Sequence, residues 1–216
     1  MLIAGAQGFA KEVLEVIYQA DNKVKLAFYD DLTPDAPALL FGRYPVLRTP
    51  AAAGQWLAQN PRFALGTGRP QTRRLLAHQL RQAGGILTST LSPRATIGVF
   101  GTTLGPGCNI MSGAVLTADI TLGEGVLVNL NCTIGHDVVV GNYCELSPGV
   151  HLSGHVALGP NCVLGTGAVV LPGVRIGANS VIGAGSVVTK DIEPDSVAVG
   201  IPAKVIGKVP TPAPQG

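Results

Sequence analysis

From Leu104 to Val188 an aliphatic residue returns at every sixth position without a miss: Leu104, Ile110, Leu116, Leu122, Val128, Ile134, Val140, Leu146, Leu152, Leu158, Leu164, Val170, Ile176, Ile182 and Val188. Few chain architectures tolerate so strict a period. A fixed repeat of six is the signature of a parallel β-helix, in which each hexad supplies a short strand and a corner and three hexads close one triangular coil. The fifteen hexads therefore predict five coils with the aliphatic column stacked inward. Four residues after each aliphatic comes a second small or β-branched column, running from Cys108, Ala114, Ile120 and Val126 to Ile192. The preceding "SPRATIGVFGTT" reads as an opening coil slipped by one residue. Composition agrees: glycine is abundant at 29 residues, aromatics are 5% and charged residues 13%, about half the usual share of the latter. Burial has to be carried by small aliphatic side chains in a tightly turning backbone.

The same register accounts for the cysteines. Cys108, Cys132, Cys144 and Cys162 are separated by 24, 12 and 18 residues, all multiples of six, and all fall in the small inward column. They read as core residues rather than nucleophiles or ligands, and no C-x-x-C or zinc spacing competes with that reading. The net charge of +2 and the scattered basic residues give no nucleic-acid stripe. The cluster Arg69, Arg73, Arg74 leaves room for a small anionic ligand. The chain shows neither a signal-peptide pattern nor an apolar run near the roughly 18 residues of a membrane span, so a soluble cytoplasmic protein is expected.

Residues 1 to about 88 follow other periods. "MLIAGA", "KVKLAFYDD" and "RFALGTG" read as strands; "GFAKEVLEVIYQAD", "AAAGQWLAQN" and "RPQTRRLLAHQLRQAGG" read as helices. Alternating strands and helices predict a small parallel sheet, whose ligands bind beyond the carboxyl ends of the strands. Those ends carry Gly5, Gln7 and Gly8, then Asp30 and Asp31, then Gly66, Thr67 and Gly68. The expected organisation is an α/β ligand-binding domain over 1–88, a β-helix over 89–192, and a C-terminal cap and tail over 193–216.

Within the solenoid, "GHD" at 135–137 interrupts an otherwise small and aliphatic pattern. His136 lies two residues past the inward Ile134, near a corner, so its ring should point outward or along a groove. A solvated corner histidine and a functional base are both consistent with that position. His155 is 19 residues further on, about one coil, and could lie near His136; no second carboxylate or water-orienting pattern completes a metal site, so no metal is expected. His151 follows the inward column, and His78 reads as a surface or packing residue of its helix.

Together, "LGPNCVLGTGAVVLPGVRIGANSVIGAGSVVTKDI", "AVGIPAKVI", "GHD", "GAQGFAKEVL" and "FYDD" resemble the sugar O-acyltransferase family of the sialic acid O-acetyltransferase and bacterial nucleotide-amino-sugar N-acetyltransferase type. The resemblance spans nearly the whole chain. It implies a small Rossmann-like α/β domain followed by a left-handed parallel β-helix, a homotrimer, acetyl-CoA in a groove between subunits, and a nucleotide-linked amino sugar on the α/β domain. By the same resemblance His136 is the general base, Asp137 its acidic partner and Asn129 a groove asparagine. Glu145 falls where some relatives carry a second, cofactor-contacting histidine. Gly154, Thr166 and Ala184 match the cofactor groove, and Gln7, Gly8, Phe9, Asp30 and Asp31 match the nucleotide-sugar site. Phe9 and Ala10 replace a His-Gly pair usual in the glycine-rich turn.

The chemistry of the residues agrees with that assignment. An imidazole titrates near pH 6.5 and so offers a neutral base near neutrality, and amine attack on a thioester must shed one proton as the carbon–nitrogen bond forms. The cysteines are in the inward column, so direct transfer without an acyl-enzyme is expected. No loop breaks the hexads between Leu104 and Val188, which leaves the α/β domain as the element that holds the acceptor. O-acetylation of a sialic acid or other sugar hydroxyl, using the same base, and a non-catalytic binding β-helix are the alternatives.

Overall fold

The computed structural model describes residues 1–210; the end of the expected tail, 211–216, lies outside the described residues. The N-terminal unit runs β1 (Leu2–Ala4), α1 (Gly8–Ala20), β2 (Ala27–Tyr29), β3 (Leu39–Leu40), β4 (Tyr44–Leu47), α2 (Pro50–Gln59), β5 (Arg62–Leu65), α3 (Pro70–Gln82) and β6 (Ile86–Leu87). Its sheet order is β3-β4-β2-β1-β5-β6. Side-chain alternation sorts the strands between two layers: Ile3, Phe28 and Ala64 pack beneath Ala10, Val13, Leu14 and Ile17 of α1. Leu2, Ala4, Ala27, Phe63 and Leu65 pack beneath Ala53, Leu57, Leu76, Ala77 and Leu80 of α2 and α3. A sheet covered on both sides is the Rossmann-like arrangement. Local signals start the helices: Thr49 Oγ1 accepts the Ala52 N–H at 3.2 Å ahead of Pro50, and Pro70 opens α3. The strand–helix alternation predicts a parallel sheet, and the observed sheet departs from that at one edge. β3 runs antiparallel to β4 as an edge strand, in a segment too short and too proline-rich to announce itself.

The solenoid has three faces. Face 1 contains Thr90–Leu91, Asn109–Ile110, Leu127–Val128, Glu145–Leu146, Val163–Leu164 and Val181–Ile182; face 2 runs from Thr96–Ile97 through Thr133–Ile134 to Val187–Val188; face 3 runs from Thr103–Leu104 through Val139–Val140 to Arg175–Ile176. Leu127 pairs with Glu145 and Glu145 with Val163, eighteen residues apart each time, which is one coil of three hexads. The opening coil pairs Thr90 with Asn109 and Thr96 with Val115 at nineteen, then Thr103 with Thr121 at eighteen. The slipped residue therefore lies at Val99–Phe100, which bulges into solvent between faces 2 and 3. Both inward columns are buried, including all four cysteines, which are free thiols. Burial pushes the Cys108 and Cys132 thiols up to about 11, so neither supplies a thiolate at neutral pH. Face 1 is closed by an antiparallel hairpin, Ser196–Gly200 with Ala203–Lys208.

The two units are joined across face 1 and the adjoining edge between faces 3 and 1. Val16 of α1 packs with Met111 and Leu127, with Phe9 alongside. Arg73 of α3 is fully buried: its Nε donates to the Gly125 carbonyl at 2.9 Å, one Nη to the Thr67 carbonyl at 2.8 Å, and the other to Asn109 Oδ1 at 2.7 Å. Desolvation pushes the guanidinium down to about 10, still charged at neutral pH. Arg73 is thus a strut between the units rather than a ligand for a free anion. Arg81 adds a two-pronged ion pair to Glu124 at 2.6 and 2.9 Å, and the Tyr143 hydroxyl donates to the same carboxylate.

Candidate active site

A corner of the coil must reverse the chain within a few residues, and one residue per corner adopts the left-handed conformation. On the edge between faces 2 and 3 these are Gly101, Asp119, Asp137, His155 and Gly173, with φ of 67°, 52°, 58°, 60° and 75°. Aspartate tolerates this conformation better than most residues. Asp137 therefore serves the corner as well as whatever chemistry follows. His136 precedes it, exposed, and its Nδ1 lies 2.7 Å from Asp137 Oδ2. That contact orients the ring: the carboxylate holds the Nδ1 proton and leaves Nε2 with a free lone pair. Gly154 lies one coil on, directly against the ring; a Cβ there would meet Cε1 and Nε2 at 2.6 Å. The structure thus groups His136, Asp137 and Gly154 on one edge, and adds His155, whose ring meets that of His136 edge-on at a centroid distance of 5.0 Å.

The remaining groove residues are elsewhere. Asn129, Thr166 and Ala184 lie at the edge between faces 1 and 2, where the Asn129 Oδ1 accepts the Leu130 N–H at 2.7 Å. Glu145 is on face 1, so close to the α/β unit that a Cβ on Gly68 would come within 3.0 Å of its Oε1. Burial, opposed by Arg73 and Arg69, holds the Glu145 carboxyl above its ordinary range. In a single chain these residues are separated from His136 by a face of the prism.

The strand ends of the α/β unit enclose a cavity of about 190 Å³, lined by Gly5, Gln7, Asp30, Asp31, Thr33 and Thr67 among others. Asp30 is consumed by its own loop, accepting from the Ala6, Leu32 and Thr33 N–H groups and from Thr33 Oγ1. Asp31 keeps a carboxylate at the cavity and accepts the Tyr29 hydroxyl at 2.7 Å; burial and that bond push the Tyr29 phenol upward. Thr67 Oγ1 is buried with no hydrogen-bond partner among the described residues, a polar atom that a ligand would satisfy. Gly5 is required where it is, with φ of 111° and Thr67 Cγ2 2.9 Å from any added Cβ. Of the other expected contacts, Gly8 opens α1 at the surface. Phe9 turns toward Met111 and Leu127, Gly66 lets Ile3 and Ala10 approach, and Gly68 faces Glu145. Thr33 was not singled out by the sequence, because its place depends on how the loop after β2 folds back on Asp30.

An exposed imidazole–carboxylate pair on a hexapeptide solenoid that also carries a Rossmann-like unit defines the class of hexapeptide acyltransferases with a separate N-terminal domain. Residues 1–80 match the PglD N-terminal domain and 155–190 the bacterial transferase hexapeptide (six repeats). A histidine-to-asparagine variant of perosamine N-acetyltransferase from Caulobacter crescentus, in complex with CoA and GDP-perosamine, is 31% identical over 96% of both chains with a TM-score of 0.88. The acetyltransferase domain of PglB from Neisseria gonorrhoeae, in complex with acetyl coenzyme A, is 30% identical over 95% of this chain and 98% of that one, with a TM-score of 0.87. WeeI from Acinetobacter baumannii is 26% identical over 95% and 98%, with a TM-score of 0.83. A search of curated protein sequences gave no match. The chain belongs to the sugar acyltransferase family with a PglD-type N-terminal domain and a left-handed hexapeptide β-helix. Among the described residues no helix is long and apolar enough to cross a membrane.

Proposed function

We propose that the protein transfers the acetyl group of acetyl-CoA to the amino group of a nucleotide-linked amino sugar, with His136 as general base. The observation that carries this is the His136–Asp137 pair, oriented so that Nε2 is free beside the side-chain-less Gly154. The amine nitrogen attacks the thioester carbonyl carbon, the carbon–nitrogen bond forms, and His136 Nε2 takes the proton. The carbon–sulfur bond then breaks, and the proton passes to the departing CoA thiolate. Asp137 stabilises the imidazolium in between. The relatives solved with CoA, acetyl-CoA or GDP-perosamine support this assignment of substrates.

The acceptor sits in the cavity at the strand ends, with Asp31, Gln7 and Thr67 as its polar contacts. The functional units are 1–88 for the acceptor, 89–192 for the thioester, and 193–216 as cap and tail. The working form is a homotrimer. The α/β unit covers face 1, whereas His136 is on the opposite edge, and Asn129, Thr166 and Ala184 lie on a third line of the same prism. Laying the edge between faces 1 and 2 of one copy against the His136 edge of the next gathers all of them into one groove, and three copies close the ring. The enzyme would act in the cytoplasm. A panel of UDP-, GDP-, TDP- and CMP-linked amino sugars, run beside hydroxyl acceptors with acetyl-CoA, tests the assignment. Sequential kinetics on an amino sugar is the expected result; ping-pong kinetics, or turnover confined to hydroxyl acceptors, overturns it.

A further inference from the structure

We propose that His136, Asp137 and His155 form a zinc site, and that zinc bound there reversibly inhibits the enzyme. The inhibitory consequence rests on His136 being the base; the binding rests on geometry alone. One donor atom from each of the three residues lies within 4.8 Å of the others. Asp137 Oδ2 is 2.7 Å from His136 Nδ1 and 3.8 Å from His155 Nδ1. Tetrahedral zinc with bonds of about 2.0 to 2.1 Å places neighbouring donors about 3.3 Å apart, a separation that the two observed distances bracket. Each contact to Asp137 is thus about half an ångström from the zinc-bound spacing, and the two imidazoles, within 4.8 Å of each other, close by rotation of their exposed rings. Two imidazoles and one carboxylate form a donor set that suits zinc better than magnesium or calcium, and an exposed fourth position is left for water.

The scaffold presents these groups on a rigid ladder. Asp137 and His155 occupy the same left-handed position on successive coils, and the His155 N–H donates to the His136 carbonyl at 2.9 Å. Asp119, one coil to the other side, leans away toward Gly101, so the cluster has three members rather than four. The His155 ring makes no hydrogen bond with any described residue, its side chain is 64% exposed in the single chain, and one coil along a glycine fills the same corner.

Inhibition follows from which nitrogen the metal takes. Zinc on His136 Nδ1 displaces the Asp137 contact and leaves the remaining ring proton on Nε2, the atom that must accept the proton from the amine. Zinc chloride is titrated into metal-free full-length enzyme, with binding followed by equilibrium dialysis and turnover assayed in parallel, against His155→Asn, which keeps the left-handed corner. The wild type should bind one zinc per chain and lose activity, recover on adding EDTA, and ignore magnesium. Measured against its own metal-free turnover, His155→Asn should require about tenfold more zinc, or beyond, for the same fractional inhibition. Equal zinc sensitivity in the variant, or no zinc bound by the wild type, overturns the proposal. Zinc that binds through His155 without slowing turnover also overturns it, and then the fault lies with His136 as base rather than with the metal geometry.

Discussion

Face 1 and the edge between faces 2 and 3 are built from the same hexad, yet they treat equivalent positions in opposite ways. On face 1 the outward strand residues Asn109 and Leu127 are wholly buried and Glu145 is partly so, because the α/β unit lies over them. On face 2 the equivalent Val115, Thr133 and His151 are exposed. The same holds at the corners. Tyr143 takes the left-handed position between faces 3 and 1 and is enlisted into the core shared with α2 and α3, whereas Asp137 and His155 take it between faces 2 and 3 and stay in solvent. The repeat determines what points inward. What an outward residue does is decided by whatever docks beside it.

If the contrast is real, the two regions should respond to substitution in different currencies: rate at the open edge, stability at the covered face. The largest expected effect is at the edge. His136→Ala or His136→Asn should lower turnover by about a hundred- to ten-thousand-fold with thermal melting and CoA binding nearly unchanged, as steady-state kinetics and calorimetry would show; near-native turnover would remove the base assignment. Next is the covered face. Arg73→Met strands the Asn109 and backbone acceptors in the junction and should cost about 3 kcal/mol or more of stability, measured by urea unfolding. Activity per folded molecule at saturating substrates should fall much less. At the edge again, Gly154→Ala places a Cβ 2.6 Å from Nε2 of His136, so the ring must move. A loss of kcat of about tenfold to a hundredfold is expected, with the melting temperature little changed.

The smallest effect concerns the junction and sharpens the comparison through pH. The folded Glu145 carboxyl is held above its ordinary range by burial, so its protonated form is favoured by folding. The stability it contributes is full below the unfolded value and is lost as pH rises through the folded one. Glu145→Gln should therefore raise the melting temperature slightly at neutral pH, with the gain vanishing near pH 4. A gain that persists unchanged at low pH would point to packing instead of charge.

Much of this was legible in the chain because period translates directly into geometry. The inward columns, the core role of all four cysteines, the one-residue slip and the three helices of the first unit follow from spacing alone. The proximity of His136 and His155 follows too, since nineteen residues is one coil plus one. Other features were not legible. The antiparallel β3 is two residues long and carries no periodic signal. Arg73, in a basic run that reads as an anion site, is spent on carbonyls contributed by residues 67 and 125, and Phe9 faces the solenoid instead of the strand-end cavity.

A repeat constrains the direction of each side chain through local backbone geometry, and local geometry is written in the sequence. That is why the solenoid, its core and the outward aim of His136 could be read from residues alone. Which outward residues meet one another is a question of docking between segments far apart in the chain, set by the fit of α1 and α3 against face 1 and by the stacking of coils. Only the tertiary structure could therefore turn Asp30 inward to its own loop, leave Asp31 at the cavity, and bring His155 within 3.8 Å of the carboxylate that holds His136.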